Sequence, residues 1–369
     1  ERKVIADMQN RLGPNRAGPF GILQTLADGM KLLLKEDLIP DRADRFVFRI
    51  APFLSLIPAF VSFSIVPIMG NFSGGRDGRV EILGRETYMQ VADPQIGILL
   101  FLAMSSIAVY GVMLAGWASG SKYPLLGSVR ATAQMISYEA ALGLSLASVL
   151  LFSGSLSTNA IVAEQSGFQW NLWMTGLVPF VIFTIAGTAE LNRPPFDLVE
   201  AEQELVGGYN TEYSSIRFAL FFLAEFMNVI TMSGVLVTLF LGGPQPLRIG
   251  DFDLFGWAGP FGGTLWFVLK VLAFLYAYVW FRATLPRFRY DQLMDFGWKL
   301  LIPVSLGWFL LLAALREFSP DGKAADSIRV VAICVGVAVV AIALFVAALR
   351  VSARNRDRAI PDPSTPTQN

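Results

Sequence analysis

Apolar residues fall along this chain in two patterns. From residue 46 onward they form near-continuous runs around 46–69, 95–118, 131–153, 172–189, 216–242, 264–282, 299–316 and 328–349. Each run reaches, or nearly reaches, the roughly 20 residues a helix needs to cross a bilayer core, so about eight transmembrane helices are expected. Pro52, Pro58, Pro67, Pro179 and Pro303 lie inside or at the edges of these runs, where neighbouring helices can satisfy the carbonyls a proline frees. Before residue 46 the pattern changes. Phe20, Leu23, Leu26, Met30 and Leu33 recur at helical spacing, with Gln24, Asp28, Lys31 and Lys35 on the opposite face. This predicts an amphipathic helix, lying in the membrane interface or packed as a soluble helix on a partner. Ahead of it, Arg11 to Gly21 (RLGPNRAGPFG) has two prolines and three glycines and reads as a loop.

The pattern predicts an all-α polytopic membrane protein. A cytoplasmic or interfacial segment, 1–45, precedes a membrane core of seven helices, 46–316, interrupted by an acidic loop at 190–215. An extra transmembrane helix (317–350) and a disordered tail (351–369), charged and then rich in Pro, Ser and Thr, complete the chain. Composition agrees: 54% of residues are hydrophobic and the mean hydropathy is +0.53. A formal net charge of zero gives no sign of a nucleic-acid partner. With one cysteine and no histidine, the usual ligands of iron–sulfur clusters, haem and zinc are missing, and no metal site is expected. No Rossmann or P-loop glycine pattern occurs, so no nucleotide or redox centre is expected on this chain. Cys334, in an apolar run, reads as a buried inert thiol. The chain opens on Glu1 with no signal peptide, so processing or a missing N-terminal segment is expected. No internal repeat is evident.

Lysine and arginine set the expected orientation. One side carries Arg2, Lys3, Arg11, Arg16, Lys31, Lys35, Arg42, Arg45, Lys122, Arg130, Arg193, Arg287, Arg289, Arg354, Arg356 and Arg358. The other carries Arg76, Arg79, Arg85, Arg248 and Lys323. The richer side should be cytoplasmic, and it holds the stretch from Thr188 to Arg217 with Glu190, Asp197, Glu200, Glu202, Glu204 and Glu212. Within it Pro194-Pro195 can start a helix and Gly207-Gly208 can end one. Asp197, Glu200 and Glu204 would then share a face, with Glu202 pointing elsewhere; a solvated acidic face is the plainer alternative.

Glu139, Glu225 and Lys270 lie well inside apolar runs, where an ionised side chain near a helix centre costs about 2.5–3.5 kcal/mol on insertion scales. Glu139 and Glu225 are expected about 12 Å below the cytoplasmic ends of their helices and Lys270 about 18 Å. Two readings stand. The acids form a proton relay from the surface stretch to mid-membrane, with Lys270 at its inner end and Tyr138 as a further hydroxyl if it faces the same way. Alternatively, Glu139 or Glu225 pairs with Lys270 to hold the bundle together.

Five segments carry a family resemblance: ELNRPPFDLVEAEQELVGGYNTEYS, the opening ERKVIADMQNRLGPNRAGPFGILQTLADGMKLLLKED, QMISYEAALGL, FALFFLAEFMNVI and RATLPRFRYDQLMDFGWK. Through about residue 316 they resemble the family of the quinone-tunnel membrane subunit, or H subunit, of bacterial respiratory complex I, the proton-pumping NADH:quinone oxidoreductase. The resemblance implies a membrane subunit that forms the quinone tunnel and an acidic path, the E-channel, coupling quinone reduction to proton translocation. It implies no catalytic residue on this chain. It gives Glu139, Glu190, Asp197, Glu200, Glu202, Glu204, Glu212, Glu225 and Lys270 to the path. It gives Arg11, Arg16, Phe20, Gln24, Asp28, Arg193, Phe196, Phe222 and Arg282 to the tunnel. Quinone, ubiquinone or menaquinone, would be the substrate, with FMN and iron–sulfur clusters on partner subunits. The partners would be peripheral-arm quinone-site subunits, membrane-arm subunits and the lipid bilayer of the bacterial plasma (inner) membrane, with the acidic loop and tail cytoplasmic. The family's first helix would precede Glu1, and the run at 328–349 would be an addition with a lipid-facing or packing role. Membrane anchors of energy-converting hydrogenases, a stand-alone ion transporter and a purely structural anchor are the alternatives.

Overall fold

The computed structural model describes residues 1–70, 72, 78–82, 84–87, 89–165, 169–198, 207–246, 255, 261–317 and 336. Two helices, α1 (Arg2–Met8) and α2 (Gln24–Leu34), precede the bundle. α3 (Arg45–Ser64), a hairpin of β1 (Val80–Ile82) and β2 (Arg85–Thr87), α4 (Gly97–Ala118) and α5 (Lys122–Ser153) follow. The strands pair antiparallel, Val80 opposite Thr87. Then come α6 (Thr158–Glu164), α7 (Asn171–Met174), α8 (Val178–Glu190), α9 (Ser215–Phe240), α10 (Gly262–Thr284) and α11 (Tyr290–Glu317). The last contains a π-helical turn at Gly297–Leu301.

Six of these helices, α3, α4, α5, α9, α10 and α11, are long and apolar enough to cross a membrane. The expected eight differ from this at two places. The run at 172–189 is broken: α7 stops at Met174, Gly176 and Leu177 take φ of 80° and 66°, and Pro179 lies in the first turn of α8. α8 keeps 13 residues, or about 20 Å, short of a hydrocarbon core of roughly 30 Å. The break is closed from outside, since Trp308 Nε1 donates to the Thr175 carbonyl at 2.9 Å and Asn171 Nδ2 to that of Leu239 at 2.9 Å. The second difference is the run at 328–349, which lies outside the described residues, as do 199–206 and the tail 351–369.

Local chemistry sets the other boundaries. Asp44 caps α3 by accepting from Phe46 and Val47 N–H at 3.0 and 3.2 Å. α5 starts well before its apolar run and ends at Gly154, whose φ of 62° suits a residue without a side chain. α3 and α4 touch at Gly111, where a Cβ would lie 2.2 Å from Ser55 Oγ. Around α3 the faces separate cleanly. Phe48, Ala51, Ser55, Ala59 and Ser62 are buried, while Phe46, Ile50, Phe53, Ile57 and Phe60 form an exposed stripe, as on a helix facing lipid. The core joins Tyr138, Leu142 and Leu146 of α5, Ile182 and Phe183 of α8, and Leu236 and Phe240 of α9.

α2 begins at Gln24 rather than Phe20, which takes a φ of 55° in a 3-10 turn at Pro19–Gly21. Leu26, Met30, Leu33 and Leu34 are exposed. The C-terminal end of α2 is tied to the start of α9, where Ser215 Oγ donates to the Lys35 carbonyl at 2.7 Å and Arg217 pairs with Asp37 at 3.0 Å.

Candidate functional site

The chain after α8 is held by a glutamine. Gln134 of α5 is buried, and its Nε2 donates to the carbonyls of Ala189 at 2.7 Å and Phe196 at 2.8 Å. The Pro194–Pro195 peptide is cis, and residues 194–196 turn rather than open a helix. This departs from the helix start expected there: the Phe196 N–H donates to the Arg193 carbonyl at 2.9 Å, closing a turn. Phe196 packs between Tyr138, 5.6 Å away, and Phe288, stacked at 5.5 Å. Asp197 is buried, with Arg287 at 3.3 Å.

Arg193, on this same turn, is a buried guanidinium shared by two carboxylates. Its Nη1 meets Glu1 Oε1 at 2.7 Å and its Nε meets Glu225 Oε1 of α9 at 3.0 Å. Its charge lies 5.0 Å from the ring of Phe226. Arg282 Nη1 reaches the same Glu1 oxygen at 2.8 Å. Burial alone would raise the Glu1 carboxyl, but Arg193 and Arg282 outweigh it and hold the group below the usual range. A depressed pKa means that the clamp is complete above the ordinary carboxylate value and is lost as pH falls through the lowered one. Arg2 pairs with Asp28 at 2.8 Å and Gln24 donates to it at 2.9 Å, fastening α1 to α2. On α9, Phe222 sits between Phe218 at 5.9 Å and Phe226 at 4.8 Å, an aromatic stripe leading to Arg193. Phe20, Arg11 and Arg16 are exposed on the N-terminal loop, with Arg11 Nε donating to Gln9 at 2.8 Å.

Deeper in the bundle, two adjacent serines of α4 collect two acids. Ser105 donates to Glu190 and Ser106 to Glu139. Beside them is a cavity of about 20 Å³ lined in part by Pro58, Ser105, Met135, Glu190, Asn228 and Thr231. That is room for about one water. Glu190 Oε2 and Thr231 Oγ1 are buried there without a hydrogen-bond partner. A carboxyl with an unpartnered oxygen at a water-sized cavity can exchange a proton with a water there.

Other expected members lie elsewhere. The Tyr138 hydroxyl donates to the Leu293 carbonyl at 2.9 Å, so it faces α11 rather than extending from Glu139. Glu212 is half-buried in the turn before α9, and Glu200, Glu202 and Glu204 lie outside the described residues. Lys270 donates to the carbonyls of Leu241, Gly243 and Gln245 beyond the C-terminal end of α9. From Glu225 to Leu241 is sixteen positions of sequence, or about 24 Å along the axis. A helical side chain leans toward its helix N-terminus, which carries the ammonium away from the acids. Lys270 therefore neither caps the acid series nor pairs with Glu139 or Glu225.

Glu1, Ser105, Ser106, Gln134 and Thr231 were not singled out from sequence. The Ser-Ser pair inside LLFLAMSSIAVY and the glutamine opening QMISYEAALGL are the signals that could have found three of them.

Residues 1–313 match the NADH dehydrogenase family. The chain belongs to this family. Similar members are named as the H subunit of NADH-quinone oxidoreductase. That of Frankia alni is 53% identical over 324 residues, covering 87% of this chain and 69% of the relative. That of Frankia casuarinae is 53% identical over 321 residues, 86% and 68% of the two chains. That of Streptomyces avermitilis is 52% identical over 322 residues, again 86% and 68%. By name, then, these NADH dehydrogenase relatives are subunits of an enzyme, and the matched region includes every described helix through most of α11.

Proposed function

We propose that this chain is the membrane subunit that guides quinone into a proton-translocating NADH:quinone oxidoreductase, and that its buried acids couple quinone reduction to proton movement. The observation that carries the reading is Arg193, hydrogen-bonded on one side to Glu1 beside Arg282 and ion-paired on the other with Glu225. The first group, with Phe222, Phe226 and the α1–α2 segment, lines the approach to the turn at Phe196. The second leads on to Glu190, Glu139 and the small cavity.

Reducing a quinone to a quinol takes two electrons and two protons. The electrons come from centres on partner subunits. The change in charge and proton demand near the Arg193 turn alters how strongly Arg193 holds Glu225. A carboxylate that loses part of its cation binds a proton more readily. Glu190 and Glu139, already gathered by Ser105 and Ser106, receive that bias. Asp197, Glu200, Glu202, Glu204 and Glu212 form the outer part of the path. The acidic end faces the cytoplasm by the excess of lysine and arginine there, and the exposed apolar side of α2 lies in the membrane interface. Partners are the peripheral-arm and membrane-arm subunits of the complex, in a bacterial plasma membrane.

The test is Glu190→Gln in the assembled complex, with NADH:quinone turnover and proton uptake followed together. Quinone-dependent pumping is expected to fall by roughly tenfold or more, the scale of a lost acid–base group. Pumping at the wild-type stoichiometry would remove Glu190 from the path.

A further inference from the structure

Lys270 is the one buried lysine of α10, and its surroundings are main chain rather than carboxylate. Its Nζ donates to the carbonyls of Leu241 at 2.7 Å, Gly243 at 3.0 Å and Gln245 at 2.9 Å. These oxygens lie at and beyond the last turn of α9, the negative end of the helix dipole. An ammonium has three N–H groups and no lone pair. All three are occupied, so it can neither bond a carboxylate nor accept a proton without first losing one. The Trp170 ring lies 5.2 Å from the charge. The turn is fixed from the other side as well, where Gln165 Oε1 accepts from Gly242 N–H at 2.9 Å and Gln165 Nε2 donates to the Thr238 carbonyl at 2.9 Å.

Along α9 between this turn and the acids, the described residues are mostly apolar. Thr231, at the cavity, precedes Leu241 by ten positions of sequence, about 15 Å along α9. That interval is packed by buried Phe183, Val235, Leu236, Leu239, Phe240 and Phe267. The two hydroxyls within it, Ser233 and Thr238, donate back to their own helix, to the Val229 and Gly234 carbonyls at 2.8 Å each. Neither offers its proton to a neighbour across the bundle. A positive charge on the far side of this packed apolar layer raises the energy of any second cation there, a hydronium included.

We infer that Lys270 is a positioning residue and electrostatic stopper: it caps α9 and closes the far end of the bundle to protons, and does not carry them. The inference rests on the acids being a proton path, since a stopper has meaning only beside one. It is tested in the whole complex reconstituted in proteoliposomes. Lys270→Arg keeps the cation and its donors but cannot release a proton at working pH. It should retain turnover and protons pumped per electron, and turnover without pumping would overturn the inference by making Lys270 a carrier. Lys270→Met removes the charge. It should retain turnover, yet once NADH is exhausted the pH gradient should decay several-fold faster than in wild type. A gradient that decays at the wild-type rate would likewise overturn the stopper. If the Met variant does not assemble, Lys270→Gln, which keeps N–H donors without charge, gives the same reading. Failure of the acid path itself would show separately, as unchanged pumping in Glu190→Gln with Lys270 intact.

Discussion

At the acidic end of the bundle Arg193 is committed to two carboxylates, Glu1 and Glu225, and Arg282 shares the first. At the far end Lys270, Gln165 and Asn171 direct their donors to main-chain carbonyls of α9 and the turn after it. Both ends bury polar side chains, though at the acidic end Glu190 Oε2 and Thr231 Oγ1 keep no hydrogen-bond partner. The partners differ in what they can become. A carboxylate can gain a proton when its surroundings change, and its bond to a cation then weakens. A backbone carbonyl cannot. The acidic end is built from interactions that respond to charge, the far end from interactions that stay as they are.

The largest effect should come from removing the shared cation. Arg193→Met takes this cation from the partly exposed Glu225, whereas Glu1 keeps Arg282. Breaking a fully buried pair from one side costs about 3–5 kcal/mol; with Glu225 partly exposed the loss should be smaller, so less complex should assemble, and what does should lose quinone reductase activity. Adding Glu225→Gln removes that charge, and most of the assembly should return without the activity. Thermal stability and yield of the single and double variants form a cycle that isolates the pair. A double variant no more stable than the single one would mean that the Arg193–Glu225 contact is not what holds this end together.

The long apolar helices and the acids themselves are legible in the sequence, because burial in a bilayer leaves continuous runs and makes each charge conspicuous. The sequence did not reveal which acid meets which partner. Glu1 and Arg193 are brought together only by folding, and Ser105 and Ser106 look like ordinary small residues of an apolar helix. The depth estimate placed Lys270 in line with Glu225 because rise along the axis says nothing of the direction in which a long side chain leans. The break before α8 was hidden for a related reason. Gly176, Leu177 and Pro179 interrupt an otherwise apolar run, and hydropathy does not register a change of backbone sign.

Gln134 tests whether the contrast between the ends holds without exception, because it is a neutral side chain bonded to main chain at the acidic end. Gln134→Leu leaves the Ala189 and Phe196 carbonyls without this donor, a loss of about 1–3 kcal/mol where a buried group goes unsatisfied. The turn carrying Arg193 and Phe196 would then be less firmly placed. The expected outcome is a raised KM for quinone with a smaller change in kcat, measured with NADH in excess. An unchanged KM together with lower thermal stability would make Gln134 a support of the bundle alone.

Trp308 supplies the smallest and most diagnostic case. Its indole N–H donates to the Thr175 carbonyl at the break between α7 and α8, on the far side of the core. Trp308→Phe keeps most of the apolar volume and removes one hydrogen bond, a change of about 1 kcal/mol. The midpoint of thermal unfolding should fall by a few degrees, on the order expected for such a loss. Turnover and protons pumped per electron should not move, because nothing at that carbonyl titrates and the acids are separated from it by packed side chains. A shift in pumping stoichiometry from so small a change would show that α8 transmits displacement from its far end to Glu190, and the far end would then belong to the responsive half of the molecule.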